Sequence, residues 1–190
     1  MISARSWTVI GLVLAAAFSR LFPHPHNFAP IAALAVFSGA CFSSRRWAPF
    51  VALGSLFLSD VLLQLTYQAG WQNAWGFYSG QWVVYLCTLA SVGFGLLIRR
   101  DRKIATIAGA TIGGSIAFFL VTNFAFVYGA ESIYPRTLQG VMISYEAGLP
   151  FFRNSLLGDL FYSAVLFGAF GMAEAKIPAL QSARRASMAA

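Results

Sequence analysis

Long apolar runs alternate with short polar or aromatic punctuation along nearly the whole chain. Six runs read as membrane helices: residues 6–22, 29–43, 47–67, 81–98, 104–128 and 150–173. A helix needs about 20 mostly apolar residues to cross a hydrocarbon core of ~30 Å. None of the runs has the strict alternation of barrel strands. The second is short. At ~1.5 Å per residue it barely reaches across, so it is expected to lean on its neighbours or lie in a thinned region. The pattern predicts an all-α integral membrane protein, a bundle of six transmembrane helices. Residues 1–175 form its single domain and 176–190 a basic cytoplasmic tail. The start also permits another reading: Arg5, an apolar run and Ala15–Ala17 have the form of a cleaved secretory signal.

Composition supports the membrane reading. The 190 residues are 58% hydrophobic and 10% charged, with a mean hydropathy of +0.69, whereas soluble domains carry about 25% charged residues. The net charge of +7 could suggest nucleic acid, but its distribution excludes that partner. Six helices put both termini on one side, with Arg5, Arg45, Arg46, Arg99, Arg100, Arg102, Lys103, Lys176, Arg184 and Arg185, ten of the thirteen basic residues. The positive-inside rule makes that side cytoplasmic. Arg20, Arg136 and Arg153 remain outside. Cys41 and Cys87 fall near opposite faces, too far apart for a disulfide, and read as packing thiols.

The loops differ by side. The inner "SSRRW" and "RRDRK" are short. The outer "FPHPHNFAP", "YQAGWQNAWGFYSGQ" and "YGAESIYPRTLQGVMISYEAGLP" are longer and aromatic. Trp71, Trp75, Tyr78, Trp82 and Tyr85 suit either an interfacial belt or a lid over a ligand. The third outer loop is expected to carry a short helix on the membrane surface. In the first, Asn27 is expected to cap the second helix, with Phe28 and Pro30 in its first turn. His24, His26 and Arg20 then form the rim of a pocket.

Ionisable groups within a membrane usually face an interior or a cavity. Here they are Asp60, Arg153 and Asp159, with Arg20 near a helix end and the amides Gln64, Asn123 and Asn154 beside them. All fall in the outer half. Asp60, Gln64 and Tyr67 share one helix face, as do Ser155, Asp159 and Ser163. These stripes read as a ligand site or as structural pairs, Asp60 with Arg20 or Asp159 with Arg153. The inner half is expected to hold only Ser, Thr and Gly, such as Ser55, Thr106 and Thr111, satisfied on helix carbonyls. Gly11-x-x-x-Ala15 and Gly109-x-x-x-Gly113 are small-residue packing motifs. No phosphate loop, H-E-x-x-H or G-x-S-x-G is present. "HPH" alone is two nitrogens short of a metal site, so no metal and no cofactor is expected.

"RLFPHPHNFAPIAALAVFSGA" and "YPRTLQGVMISYEAGLPFFRNSLLGDLFYSAVLFG" resemble an uncharacterised family of bacterial membrane proteins described as transport proteins. The matching positions are Pro23–Pro30, Asn123-Phe124, Tyr134–Thr137 and Leu149–Asp159. That family's layout is similar to the substrate-binding S-components of energy-coupling factor (ECF) transporters. The resemblance implies a multi-pass protein of the bacterial inner (plasma) membrane, not an enzyme, that captures a small molecule such as a vitamin from outside. A membrane scaffold with ATPase subunits would be its partner, docked on Gly11 and Ala15. Phe28, Trp71, Trp75 and Tyr145 would cover the ligand; Arg20, His24, His26, Asn27, Asp60, Gln64, Asn123, Arg153, Asn154 and Asp159 would orient it. One branch binds cobalamin, for which Cys87 would be the cobalt ligand. Two alternatives stand beside this. A membrane enzyme would use Asp60 or Asp159 as base, His24 or His26 as acid, and Arg153 to hold an anion. A structural subunit would use the same polar residues only to lock helices.

Overall fold

The computed structural model describes residues 3–71, 73, 75–129 and 132–180, and no strand occurs among them. Six α-helices follow one another: α1 Ala4–Phe18, α2 Ile31–Cys41, α3 Ala48–Gln68, α4 Gln81–Leu97, α5 Ile104–Tyr128 and α6 Leu138–Lys176, with a 3₁₀ turn Ser19–Leu21 after α1. The ends follow local chemistry. Ser3 caps α1 by accepting the Ser6 N–H, and Thr137 caps α6 by accepting that of Gly140. Gly80, at φ 81°, turns the chain into α4.

Four helical segments are long and apolar enough to cross a membrane: Ala4–Leu21, Ala48–Gln68, Ile104–Tyr128 and Leu138–Lys176. Their most apolar windows are only 22–39% buried within the protein. Apolar faces so widely exposed fit lipid surroundings. α2 and α4 are shorter apolar helices.

Two expectations about the elements are corrected. The third outer loop carries no separate surface helix. From Leu138 the chain is already in α6, which runs 39 residues through Pro150. Proline lacks an N–H, so the Glu146 carbonyl has no helix partner there. Asn27 does not cap α2. It stands at φ 61°, the third residue of a turn closed by the Phe28 N–H on the Pro25 carbonyl at 3.0 Å, a position Asn tolerates better than most residues. α2 starts later, after Pro30, and no local side chain caps it.

α2 organises the bundle. Every residue of it except Ile31 is buried, and it packs against each of the other five α-helices. Eleven residues make it about 16 Å long. Both of its ends are therefore inside protein, where each unsatisfied backbone group costs several kcal/mol. Other helices satisfy them. At the N-terminus the Asp159 carboxylate of α6 accepts the Ala33 N–H at 3.0 Å. Towards the C-terminus Arg5 donates to the Cys41 carbonyl at 2.8 Å and Arg99 to those of Gly39 (3.2 Å) and Ser43 (2.7 Å). An anion at the positive end and cations at the negative end also oppose the helix dipole.

α2 and α4 touch backbone to backbone. A Cβ on Gly39 would stand 2.3 Å from the Val92 carbonyl oxygen, and one on Gly95 2.1 Å from that of Val36. This is the close small-residue packing of the bundle, and the sequence motifs pointed elsewhere. Nothing lies within 4 Å of a Cβ at Gly11 or Gly109, and Gly113 receives only the Phe94 ring.

The end of the bundle that gathers the arginines is not plain. Arg5 Nη1 lies 2.6 Å and Arg102 Nη2 3.3 Å from Glu174 Oε1, all largely buried. Both guanidinium groups sit over the Phe170 ring, at 4.9 and 5.8 Å. Burial works against the Arg102 charge, but Cys41 and Glu174 together hold its pKa above the ordinary value. The expectation of only Ser, Thr and Gly there fails because three arginines and Glu174 close the ends of α1, α2 and α6. Arg184 and Arg185, with the rest of the tail beyond residue 180, lie outside the described residues.

Candidate functional site

Two acidic residues lie deep in the bundle, in unlike surroundings. Asp60 of α3 is 1% exposed. Its Oδ1 takes Arg20 Nη1 at 2.6 Å; its Oδ2 takes Gln81 Nε2 at 2.7 Å and the Tyr85 hydroxyl at 2.8 Å. Arg20 also donates to Ser59 Oγ at 2.5 Å. One turn along, Gln64 Oε1 accepts the N–H groups of Gly76 and Phe77. Gly76 is indispensable here, because a Cβ would stand 1.8 Å from the Asp60 carbonyl oxygen. Arg20, Asp60 and Gln64 thus fasten the α1 end, α3, α4 and the second aromatic loop together. The expected structural pairing of Asp60 with Arg20 is present, and Gln64, expected at a ligand, instead holds the loop.

Asp159 of α6, 4% exposed, has no basic partner among the described residues. Its carboxylate receives neutral donors, among them the Ala33 N–H at 3.0 Å and Ser115 Oγ at 2.7 Å, with the Ala32 backbone beside them. The other anticipated partner, Arg153, is exposed and makes no ion pair among the described residues. Ser163, one turn from Asp159, shares a 2.8 Å hydrogen bond with Thr111 of α5, which extends the polar seam.

Above Asp159 lies a cavity of about 490 Å³, within the range of small-molecule pockets. Two helices supply most of it. α5 contributes Ser115, Phe118, Phe119, Thr122, Asn123, Ala125 and Phe126; α6 contributes Gly148, Phe151, Phe152, Ser155 and Asp159. The α6 set falls at i, i+3, i+4, i+7 and i+11, one helix face, and Ser115, Phe118, Phe119, Thr122 and Phe126 repeat that spacing on α5. The α2 entry (Ala29, Ile31, Ala32) and the start of α4 (Trp82, Val83, Val84) close the remaining sides, with Asn27, Tyr78 and Ser79 from the loops. Phe119 and Phe152 stack with centroids 4.6 Å apart. Asn123 donates from Nδ2 to the Phe119 carbonyl at 2.9 Å. Its Oδ1 faces Gly148, where a Cβ would approach it to 2.6 Å. Burial, then the Asp60 carboxylate, keep the Tyr78 phenol above its usual pKa, so it is a neutral hydroxyl at physiological pH.

Of the residues expected at a ligand site, Asn27, Asn123 and Asp159 line this cavity. The others have different places. Asn154 Nδ2 donates to the His26 carbonyl at 3.0 Å, and Phe28 packs on Phe161 and Tyr162, so both hold the first loop against α6. Tyr145 donates to the Leu120 carbonyl. His24 and His26 are exposed, with His24 Nδ1 2.9 Å from the Pro25 carbonyl. Trp71 and Trp75 are exposed, Trp75 edge-on to Tyr67. Cys87 is buried and is not among the lining residues. Gly11 and Ala15 lie on the exposed face of α1. No three His, Cys, Asp or Glu side chains converge as metal ligands among the described residues. The phenylalanines of α5 and α6 were missed, although the repeated i, i+3, i+4, i+7, i+11 spacing around Ser115 and Ser155 was there to be found.

The family model that matches the chain is DUF6580, a family of unknown function, over residues 1–180. The chain belongs to that family. No curated protein and no solved structure matches it.

Proposed function

We propose that this protein captures a small molecule on the aromatic-rich side of a bacterial plasma membrane for uptake, in the manner of an ECF S-component. The observation that carries the reading is the aromatic-walled cavity at that end, with Asp159 at its floor. The lining runs from Gly129 at the end of α5 down to Ser115, about 20 Å along the helix. In this reading all six helices lie in the membrane, with α2 as a buried half-length member, and both termini are cytoplasmic. Support for the orientation comes from Arg45, Arg46, Arg99, Arg100, Arg102 and Lys103 in two short connections. Gly11 and Ala15, exposed on α1, are free for a membrane partner that supplies the driving energy. The chain binds and releases; it does not catalyse. The Asp60 cluster favours a structural role for that half of the polar set, so the ligand site is confined to the Asp159 side.

Native mass spectrometry of the protein released from lipid nanodiscs tests this. A small organic molecule retained one to one is the expected result. Retention of phospholipid alone would reduce the cavity to a lipid groove and end the capture reading.

A further inference from the structure

We propose that the cavity takes an organic cation: a protonated amine, or an alkylated heteroaromatic nitrogen, carried on a flat apolar body. The inference rests on the capture reading above and names its substrate class.

The argument begins with the contrast between the two acids. Asp60 is matched by Arg20 at 2.6 Å. Asp159, equally deep, is met by neutral groups, the backbone N–H end of α2 and the Ser115 hydroxyl. Among the described residues no Lys, Arg or His lines the cavity, and Asp159 is the acidic one that does. A helix N-terminus is ordinarily where an anion docks. Here α2 presents its N-terminus to the cavity, but Asp159 already occupies it. That helix end is thus already met by an acidic side chain, and no basic side chain among the described lining residues is left over for an anion. A carboxylate or phosphate ligand would therefore sit beside Asp159 with no basic partner, a costly arrangement away from water.

The walls suit the same class. Tyr78, Trp82, Phe119, Phe126, Phe151 and Phe152 surround the space, and aromatic faces attract cations most strongly where water is excluded. Asn123 Oδ1, facing Gly148, is a further acceptor for an ammonium N–H. Trp82, 65% exposed, stands at the rim, where an entering cation meets it first.

The test measures binding of three probes sharing one ring, to the full-length protein in nanodiscs by isothermal titration: tryptamine (cation), indole-3-ethanol (neutral) and indole-3-acetate (anion). Tryptamine is expected to bind at least tenfold more tightly than the alcohol, and the acetate not measurably. Asp159→Asn should abolish the preference for tryptamine over the alcohol, bringing the two affinities to within about twofold of one another. Trp82→Leu, at the rim, should weaken tryptamine about tenfold with no change in unfolding temperature. Equal or tighter binding of the alcohol or the acetate overturns the cation class and leaves capture standing. Binding of none of the three to folded protein also overturns it. The native mass spectrum then decides capture separately, by whether a small molecule of another class is retained.

Discussion

Replacing Asp159 separates its structural work from its charge. In Asp159→Ala two donors lose their acceptor, the Ala33 N–H and the Ser115 hydroxyl. They do not suffer equally. Ser115 Oγ also lies 3.0 Å from the Thr111 carbonyl, so its proton can turn there. Ala33 is fully buried and its N–H is left without a partner. An orphaned buried donor costs about 1–3 kcal/mol; the same bond is the cap of α2, so the ~1 kcal/mol typical of cap loss lies within that figure. The expected loss is therefore about 1–3 kcal/mol. For a protein of this size 1 kcal/mol moves the melting temperature by roughly 2–4 °C, so a fall of roughly 2–12 °C is expected for Ala. Asp159→Asn should differ. Its carbonyl oxygen still accepts from Ala33, and its amide nitrogen donates to Ser115 Oγ while Ser115 turns its proton to Thr111. Ala33 and Ser115 both keep a partner and the second amide N–H faces the cavity, so the expected cost is below about 1 kcal/mol. The assay is thermal unfolding in detergent, with limited proteolysis as a second readout. If Asn destabilised as much as Ala, the negative charge itself would be holding the fold, and the assignment of Asp159 as a neutral-donor cap would be wrong.

Three further outcomes follow from the packing. Arg20→Met leaves Asp60 buried without its cation and should cost about 3–5 kcal/mol; adding Asp60→Asn should recover at least half, and an additive cycle in thermal unfolding would deny the coupling. Gly39→Val or Gly95→Ala sets a Cβ within 2.3 Å of a backbone oxygen and should abolish the folded peak in size-exclusion chromatography, whereas Gly11→Ala, with nothing within 4 Å, should leave it intact. Because Cys41 and Cys87 are buried, single cysteines introduced as Ser79→Cys and Arg46→Cys report topology; an impermeant maleimide on whole cells should label only the first, and labelling of the second alone would invert the proposed orientation.

Much of the bundle could be read from hydropathy, because the six apolar runs are separated by charge or by aromatic and glycine-rich loops. Four of the six elements match to within about three residues at each end. The differences share a cause: hydropathy does not register how a helix starts or stops. α1 ends at Phe18 and gives way to a 3₁₀ turn within the apolar run. α2 lies within about three residues of its expected bounds but opens only after Pro30, because Asn27 sits in a left-handed turn. α6 begins at Leu138, because the mixed polar and apolar residues before Pro150 score as loop. At the site, charge was legible and lining was not. Asp60, Asp159 and Asn123 stand out as polar residues in apolar runs. Phe118, Phe119, Phe126, Phe151 and Phe152 look like lipid-facing residues until the facing helix is known. The inner cluster was hidden for the opposite reason: arginines near a membrane face are sufficiently explained by topology, and that explanation conceals the hydrogen bonds of Arg5, Arg99 and Arg102.

The cavity and its carboxylate have one origin, the shortness of α2. A helix of about 16 Å at the centre of the bundle fills only about half of a ~30 Å core. On the basic end the deficit is filled by Arg5, Arg99, Arg102 and Glu174. On the aromatic end no helix continues α2. The chain arrives there as the extended loop through Asn27 and Ala29, held aside by Asn154 and by contact at Gly158, where the Phe28 backbone comes within 3.2 Å of a would-be Cβ. Space is left between α4, α5 and α6, and their aromatic faces line it. The same shortness exposes the first N–H groups of α2 to that space, which forces an acceptor to be present, and Asp159 supplies it. A longer α2 would fill the cavity and remove the need for the acid together. That coupling explains why, among the described residues, the buried carboxylate lacking a basic partner lies at the floor of the cavity.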